Sequence, residues 1–228
     1  MKIVSSPETN DNIILSDNIR HSSFTTAKRY GLFFEISREA FIYPQNERIF
    51  LMQRIEIPVD SFQSKNYALF SEKWFLLTSG DYKKKHYNTM TIEWGSIGKV
   101  WRVPLVQVFV RHSRYTYEFM EQYDSFTLTC FPAQYRKALN LLGTKSGRDG
   151  NKISEAGLTP QAASHVASPV FAEAELTIEC EKMYWDDIVL EQMVGNMAAN
   201  VYGSAPDVHR VYFGKIVAIQ GAKDYLAA

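Results

Sequence analysis

A chain of 228 residues with 46% hydrophobic and 14% aromatic side chains can bury a core the size of one large domain. Its 25 basic and 25 acidic residues cancel, which excludes a general binder of nucleic acid or anionic membrane, because counterion-release binding needs a basic surface. No run approaches the ~20 apolar residues of a membrane-spanning helix, and the polar stretch from Met1 to Arg20 lacks the apolar centre of a signal peptide, so a cytoplasmic protein is expected.

Residues 1–51 differ in character from the rest of the chain. Ser5 to Asn12 is polar, and the apolar stretch Tyr30 to Phe34 is short and isolated. They predict an N-terminal extension, weakly docked or partly disordered, ahead of a domain over 52–228. Met52 stands at that junction and would also serve as a start. Strand patterning begins at Ile49 to Ile57 and continues in the compact apolar run Trp74 to Thr78, which ends at Ser79-Gly80. Lys83-Lys84-Lys85 reads as a solvated turn.

In Thr89 to Trp94, the side chains of Met90, Ile92 and Trp94 alternate with Thr89, Thr91 and Glu93, the period of a half-buried strand. Gly95-Ser-Ile-Gly98 supplies turn residues and Val103 to Val110 a returning strand, a hairpin signal. Tyr115, Phe119 and Tyr123 recur at helical spacing within Arg114 to Tyr123. A strand follows over Ser125 to Phe131. Pro132 to Leu142 predicts a helix with Tyr135, Ala138, Leu139 and Leu142 on its apolar stripe and Gly143 at its exit. After a loop from Thr144 to Lys152, Ala172, Ala174, Leu176, Ile178 and Cys180 alternate with Glu173, Glu175, Thr177, Glu179 and Glu181. That pattern predicts a long strand with one buried and one wet face. Val211 to Ile219 closes the series.

Many strands and few helices favour an antiparallel barrel with helical insertions over a parallel sheet. The sequence has neither a glycine-rich dinucleotide fingerprint nor a phosphate loop, and no Gly-x-Ser-x-Gly elbow of a hydrolase. Its histidines, at 21, 86, 112, 165 and 209, have no metal-ligand spacing, so no metal site is expected. Cys130 and Cys180 lie in apolar alternating runs and read as small buried hydrophobes, not as a redox pair.

The segment Arg111-His-Ser-Arg-Tyr-Thr116 joins a strand to a helix. Free backbone N–H groups of a first helical turn beside guanidinium groups favour a phosphate. Arg111, Arg114, Ser113 and Thr116 are therefore candidate phosphate ligands, although surface arginines beside a capping Thr116 would give the same pattern. Asn88 to Trp94 is either a plain hairpin strand or one whose backbone meets the edge of a planar ring, with Thr89 and Thr91 leaving room beside it. The loop Ser146 to Lys152 would add a hydroxyl or a cation.

The ordered set resembles the flavin reductase-like family, whose members are built on an FMN-binding split barrel, and within it the flavoredoxin-like branch. The set comprises Trp74-Phe-Leu-Leu-Thr-Ser-Gly80, Asn88-Thr-Met-Thr-Ile-Glu-Trp-Gly95, Trp101-Arg-Val-Pro104, Val110-Arg-His-Ser-Arg-Tyr-Thr116, Asp124-Ser-Phe-Thr-Leu-Thr129, Gly143 to Lys152, Ala172 to Cys180 and His209 to Ile216. The resemblance implies a mainly β, antiparallel split barrel with a few peripheral helices, forming a homodimer with one FMN per protomer near the interface. Asn88, Thr89, Met90, Thr91 and Trp94 would then lie along the isoalloxazine ring. Arg111, Ser113, Arg114 and Thr116 would hold the phosphate, and Ser146 and Lys152 would close over the cofactor. NADH or NADPH is the implied donor, and free flavin, a ferric complex or a redox protein the acceptor. No side chain is required as a proton-transfer catalyst. The alternative is a flavoredoxin-like electron carrier reduced by a protein partner; a split-barrel oxidase of a small phosphorylated amine ranks behind both.

Overall fold

The computed structural model describes residues 52–204 and 206–227; the extension expected over 1–51 lies outside them. In chain order the strands are β1 (Ile55–Glu56), β2 (Phe75–Asp81), β3 (His86–Ile92), β4 (Gly95–Val100), β5 (Val103–Arg111), β6 (Ser125–Cys130), β7 (Pro160–Gln161), β8 (Val170–Phe171), β9 (Leu176–Asp187) and β10 (His209–Gly221). The helices are α1 (Asn66–Ala68), α2 (Tyr115–Gln122), α3 (Arg136–Thr144), α4 (Lys152–Glu155) and α5 (Met197–Tyr202).

Eight strands form one antiparallel sheet in the order β3-β2-β6-β9-β10-β5-β4, with β1 on the free part of β10. β3 and β4 occupy its two ends, yet only Glu93 and Trp94 separate them in sequence. A flat sheet would hold those ends roughly 29 Å apart at ~4.8 Å per strand. Three Cα steps of ~3.8 Å span at most about 11 Å. The sheet must therefore curl on itself, and it is a mainly β, antiparallel barrel split between β3 and β4.

The two faces of β2 show how the core is divided. Phe75 and Leu77 point into the barrel with Phe126, Leu128, Ile178 and Tyr212. Leu76 points outward to Ala138, Leu139 and Leu142 of α3 and to Ile153 of α4. A strand covered on both faces reads as an unbroken apolar run, which is what Trp74 to Thr78 is. Cys130 and Cys180 are free and buried, and burial pushes both thiols up, away from reactivity.

Three expectations are corrected. Gly95 to Gly98 is not a turn but the start of β4, paired with Val108 to Leu105 of β5. Gly95 is required for close approach: a Cβ there would overlap the Phe70 ring and stand 2.6 Å from Gln107 O. The reversal falls instead at Trp101-Arg102, with φ of 50° and 64°, and β3 pairs with β2 rather than with β5. The helix after Pro132 opens as a 3-10 turn (Ala133–Tyr135) and α3 runs on through Gly143 to Thr144. Finally, Ala172 to Glu175 precedes β9, and the face expected to be wet is largely covered. Glu173 and Glu179 are both only 2% exposed. The Glu179 carboxylate accepts the N–H groups of Ser164 (2.8 Å) and His165 (2.6 Å), and that of Glu173 accepts Thr159 N–H (3.1 Å). Residues 159–171 lie over this face, and backbone donors satisfy the buried charges.

Candidate functional site

The curl of the sheet brings the start of β3 beside the start of α2 and the end of α3. Between them lies a cavity of about 210 Å³. Asn88 and Met90 line it from β3, Ser113 to Thr116 from the entry to α2, Thr144 to Arg148 from the turn after α3, and Lys152 from α4. Among the described residues β3 is an end strand, so one side of its backbone has no strand partner among them.

Asn88 is buried and its Nδ2 donates to Thr116 Oγ1 (2.8 Å), tying the strand to the first turn of the helix. The α2 N-cap, Arg114, makes no side-chain cap bond, so no side chain takes the first-turn N–H groups. Gly147 closes the opposite wall. A Cβ on it would overlap Asn88 Oδ1 and come within 2.8 Å of Tyr115 Cδ1.

The cations define the site. Lys145 pairs with Glu155 (2.7 Å) and Arg148 with Glu118. Arg114 and Lys152 form no salt bridge among the described residues. Arg114 Nη2 donates to Gly143 O (2.6 Å), while Lys152 Nζ donates to Leu142 O (2.9 Å) and Lys145 O (3.0 Å). Both therefore cap the C-terminal end of α3, an arrangement helices favour. A helix end supplies only about −0.5 charge against two full positive charges. Burial pushes the Lys152 ammonium down to about 8, with the Arg114 charge adding to the effect. Burial likewise lowers Arg114, helped by Arg111. Both shifts follow chiefly from burial of the charged group, and for Arg114 the charge of Asp207 partly offsets it.

The remaining sequence candidates divide between the cavity and other places. Ser113 lines the cavity, but its N–H (3.2 Å) and hydroxyl both donate to the Asp207 carboxylate. Arg111 Nη1 donates to Asp207 O (3.1 Å), and its guanidinium stands 5.6 Å from the Tyr202 ring centre. Thr89 is buried against β2, where Thr78 Oγ1 donates to its hydroxyl (2.8 Å), and Thr91 Oγ1 donates to Leu139 O (2.5 Å) of α3. Trp94 is 40% exposed, its ring 4.5 Å from that of His209, outside the cavity. Burial pushes His209 down to about 4, and the charge of Arg111 adds to this. Asn88, Met90, Ser113, Arg114, Thr116, Ser146 and Lys152 are thus brought together; Thr89, Thr91, Trp94 and Arg111 are not. Sequence reasoning missed Tyr115, Gly147, Arg148 and Asp207. The small turn residues Ser146-Gly147 hinted at the second and third, while a lone Asp207 carried no signal.

Among the described residues no helix is long and apolar enough to cross a membrane, and no cluster of His, Cys, Asp or Glu could hold a metal ion. A family model described as "Flavin reductase like domain" matches residues 67–227. Among solved structures, flavoredoxin of Desulfovibrio vulgaris (Miyazaki F) is 22% identical, with a TM-score of 0.52 over 68% of this chain and 75% of that one. An FMN-binding domain of flavin reductases-like enzyme from Shewanella baltica OS155 is 14% identical, with a TM-score of 0.54 over 77% and 85%. The NADH:FAD oxidoreductase SgcE6 of Streptomyces globisporus C-1027 is 13% identical, with a TM-score of 0.51 over 67% and 76%. These likenesses concern the fold. No curated protein matches the chain.

Proposed function

Because the chain belongs to the flavin reductase-like domain family, we propose that it is an FMN-binding flavoprotein oxidoreductase, an NAD(P)H-dependent flavin or ferric reductase. One observation carries the reading: Arg114 and Lys152 face a shared cavity beside the α2 N-terminus without a carboxylate between them. A dianionic phosphate at that point meets two cations already fixed by α3 carbonyls and the free N–H groups of a helix start. Thr116 and Ser146 offer hydroxyls, and Arg111 acts from behind by holding Asp207 against Ser113.

The ring would lie along β3. Its planar edge can meet the unpaired backbone side of that end strand, with Asn88 and Met90 at the phosphate-proximal end. Bound FMN would supply the redox chemistry, taking hydride from NADH or NADPH and passing electrons to free flavin, a ferric complex or a redox protein. A cavity of about 210 Å³ falls below the ~300 Å³ at which sites for whole ligands begin, so one chain encloses only one end of the flavin. A second copy completing the site accords with the exposed Met183, Tyr184 and Trp185 of β9 and Trp101 at the β4–β5 tip.

Purified protein should be yellow or quench FMN fluorescence on binding, and stopped-flow mixing with NADH or NADPH should bleach the flavin. Absence of any FMN binding rejects the flavin reading. Binding without nicotinamide reduction moves the protein to the electron carriers.

A further inference from the structure

We propose that Arg148 and Glu118 form a latch across the mouth of the cavity that selects a phosphate monoester over a dinucleotide, hence FMN over FAD. The inference rests on the proposed flavin function and adds a determinant of which flavin is admitted.

FMN ends at its phosphate, a group with three terminal oxygens and close to two negative charges. In FAD the same phosphate has two terminal oxygens and one charge, and its bridging oxygen leads on to a second phosphate, a ribose and an adenine. A site holding the first ligand can be closed behind the phosphate, whereas one holding the second must stay open there. The turn after α3 performs that closure. Arg148 Nη2 donates to the Glu118 carboxylate, Nη1 to Ser113 O (3.3 Å), and the guanidinium lies 4.8 Å from the Tyr115 ring centre. One side chain thus bridges the turn to three points on the α2 entry. Arg148 lines the cavity and Glu118 does not, and their side chains are 46% and 57% exposed, so the pair joins the cavity wall to the solvent-facing side of α2.

The rest of the turn is packed on one side and tied on the other. Gly147 is in contact with Asn88 and Tyr115, Ser146 Oγ accepts Arg148 N–H (3.2 Å), and Lys152 holds Lys145 O from below. The charge placement agrees: Arg114 and Lys152, which have no carboxylate partner among the described residues, converge on one point, where a monoester concentrates two charges on one phosphate and the pyrophosphate of FAD spreads the same two over two. Arg148 is already matched by Glu118, so its part is the wall it makes and not its charge.

The test measures affinities of the full chain for FMN, FAD and riboflavin by fluorescence quenching, in the wild type, Arg148→Ala and Glu118→Gln. The wild type should bind FMN about tenfold or more tighter than FAD. Each variant should bring FAD within about threefold of FMN, chiefly by tightening FAD, and in Glu118→Gln, whose side chain does not line the cavity, FMN should change less than about threefold. Glu118→Gln alters an exposed side chain on the far side of the latch, so it decides the matter should Arg148→Ala fold poorly. Equal wild-type affinities for FMN and FAD overturn the proposal, as does a loss of both ligands by one common factor in the variants. A wild type that binds none of the three overturns the flavin reading itself, which separates the two failures.

Discussion

At the joined ends of β9 and β10, Arg210 is surrounded by carboxylates. Its Nε and Nη2 donate to Asp187 (2.8 and 2.7 Å), its Nη1 donates to Glu121 (2.8 Å), and it packs 3.9 Å from the Trp185 ring centre. His112 also meets Asp187 (2.8 Å), and Tyr212 OH donates to Glu121 (2.5 Å). At the end of α3, Arg114 and Lys152 have only carbonyl partners. The first corner is electrically closed, so its residues serve the fold. The second carries surplus positive charge and an adjoining cavity, which is what the proposed anion-binding role requires. The partner of a cation, more than its burial, separates the two roles.

If that distinction holds, reversing charge at the open corner should cost far more in binding than in stability. Arg114→Glu should weaken FMN on the order of a hundredfold, since it removes charge-assisted bonds and adds repulsion. Riboflavin, which has no phosphate, should lose far less. Equal losses for the two ligands in parallel titrations would remove Arg114 from phosphate binding.

The closed corner should behave in the opposite way. Arg210→Ala leaves Asp187 and Glu121 unmatched. Both are more than a third exposed, so the usual cost of breaking a buried pair is discounted to about 2 kcal/mol. That corresponds to a fall in Tm of roughly 4–8 °C, with FMN affinity nearly unchanged. The Arg210 hydrogen bonds first, then that from His112, hold the Asp187 carboxyl at about 2. Because this folded value lies below the unfolded one, the stabilisation is complete above pH ~4 and is lost as pH falls through about 2. Acid titration of Tm in the wild type and Arg210→Ala should differ in that window; parallel curves would mean that the pair does not stabilise the fold.

Lys152 gives the finer contrast. Its folded value of about 8 lies below the unfolded 10.5, so the unfolded chain binds more protons between those values. Stability of the ligand-free protein should therefore rise with pH across that interval. An anion needs the ammonium, so FMN affinity should be flat between about pH 7 and 8, above the second phosphate pKa of roughly 6, and fall up to about tenfold per pH unit above 8. Lys152→Met should bind FMN about tenfold more weakly and lose the alkaline slope. Persistence of that slope in the variant would assign the titration to another group.

Legibility in the sequence followed the range of the physics involved. The alternation of residue types in β3 and the stripe of α3 are local, and the sequence pattern locates both elements, but not their faces: Thr89 is fully buried beside Met90, and Trp94 is 40% exposed. The charges of β9 misled because a wet face and a face covered by residues 159–171 have the same alternation; only the N–H groups of Ser164 and His165 tell them apart. Within the site, Arg114 and Lys152 were legible as cations in loops. Arg111 was not separable from Arg114, because their difference lies in Asp207, distant in sequence. Thr89 and Thr91 likewise turn to Thr78 and Leu139, partners that no spacing rule exposes.

The β4–β5 tip tests that lesson where no charge matching is involved. Glycines at 95 and 98 drew the turn to themselves, but the chain reverses at Trp101 and Arg102, both in the left-handed region. Two-residue hairpin turns of this kind require positive φ at both central positions and favour glycine at the second. Arg102 is exposed and bears a steric penalty there that glycine avoids. Arg102→Gly should therefore stabilise by about 0.5–1 kcal/mol, less than the steric relief alone because glycine also loosens the unfolded chain. Differential scanning calorimetry should show Tm higher by roughly 1–4 °C, with FMN affinity and its pH profile unmoved. A lower Tm would mean that the arginine side chain contributes more at the tip than its backbone geometry costs.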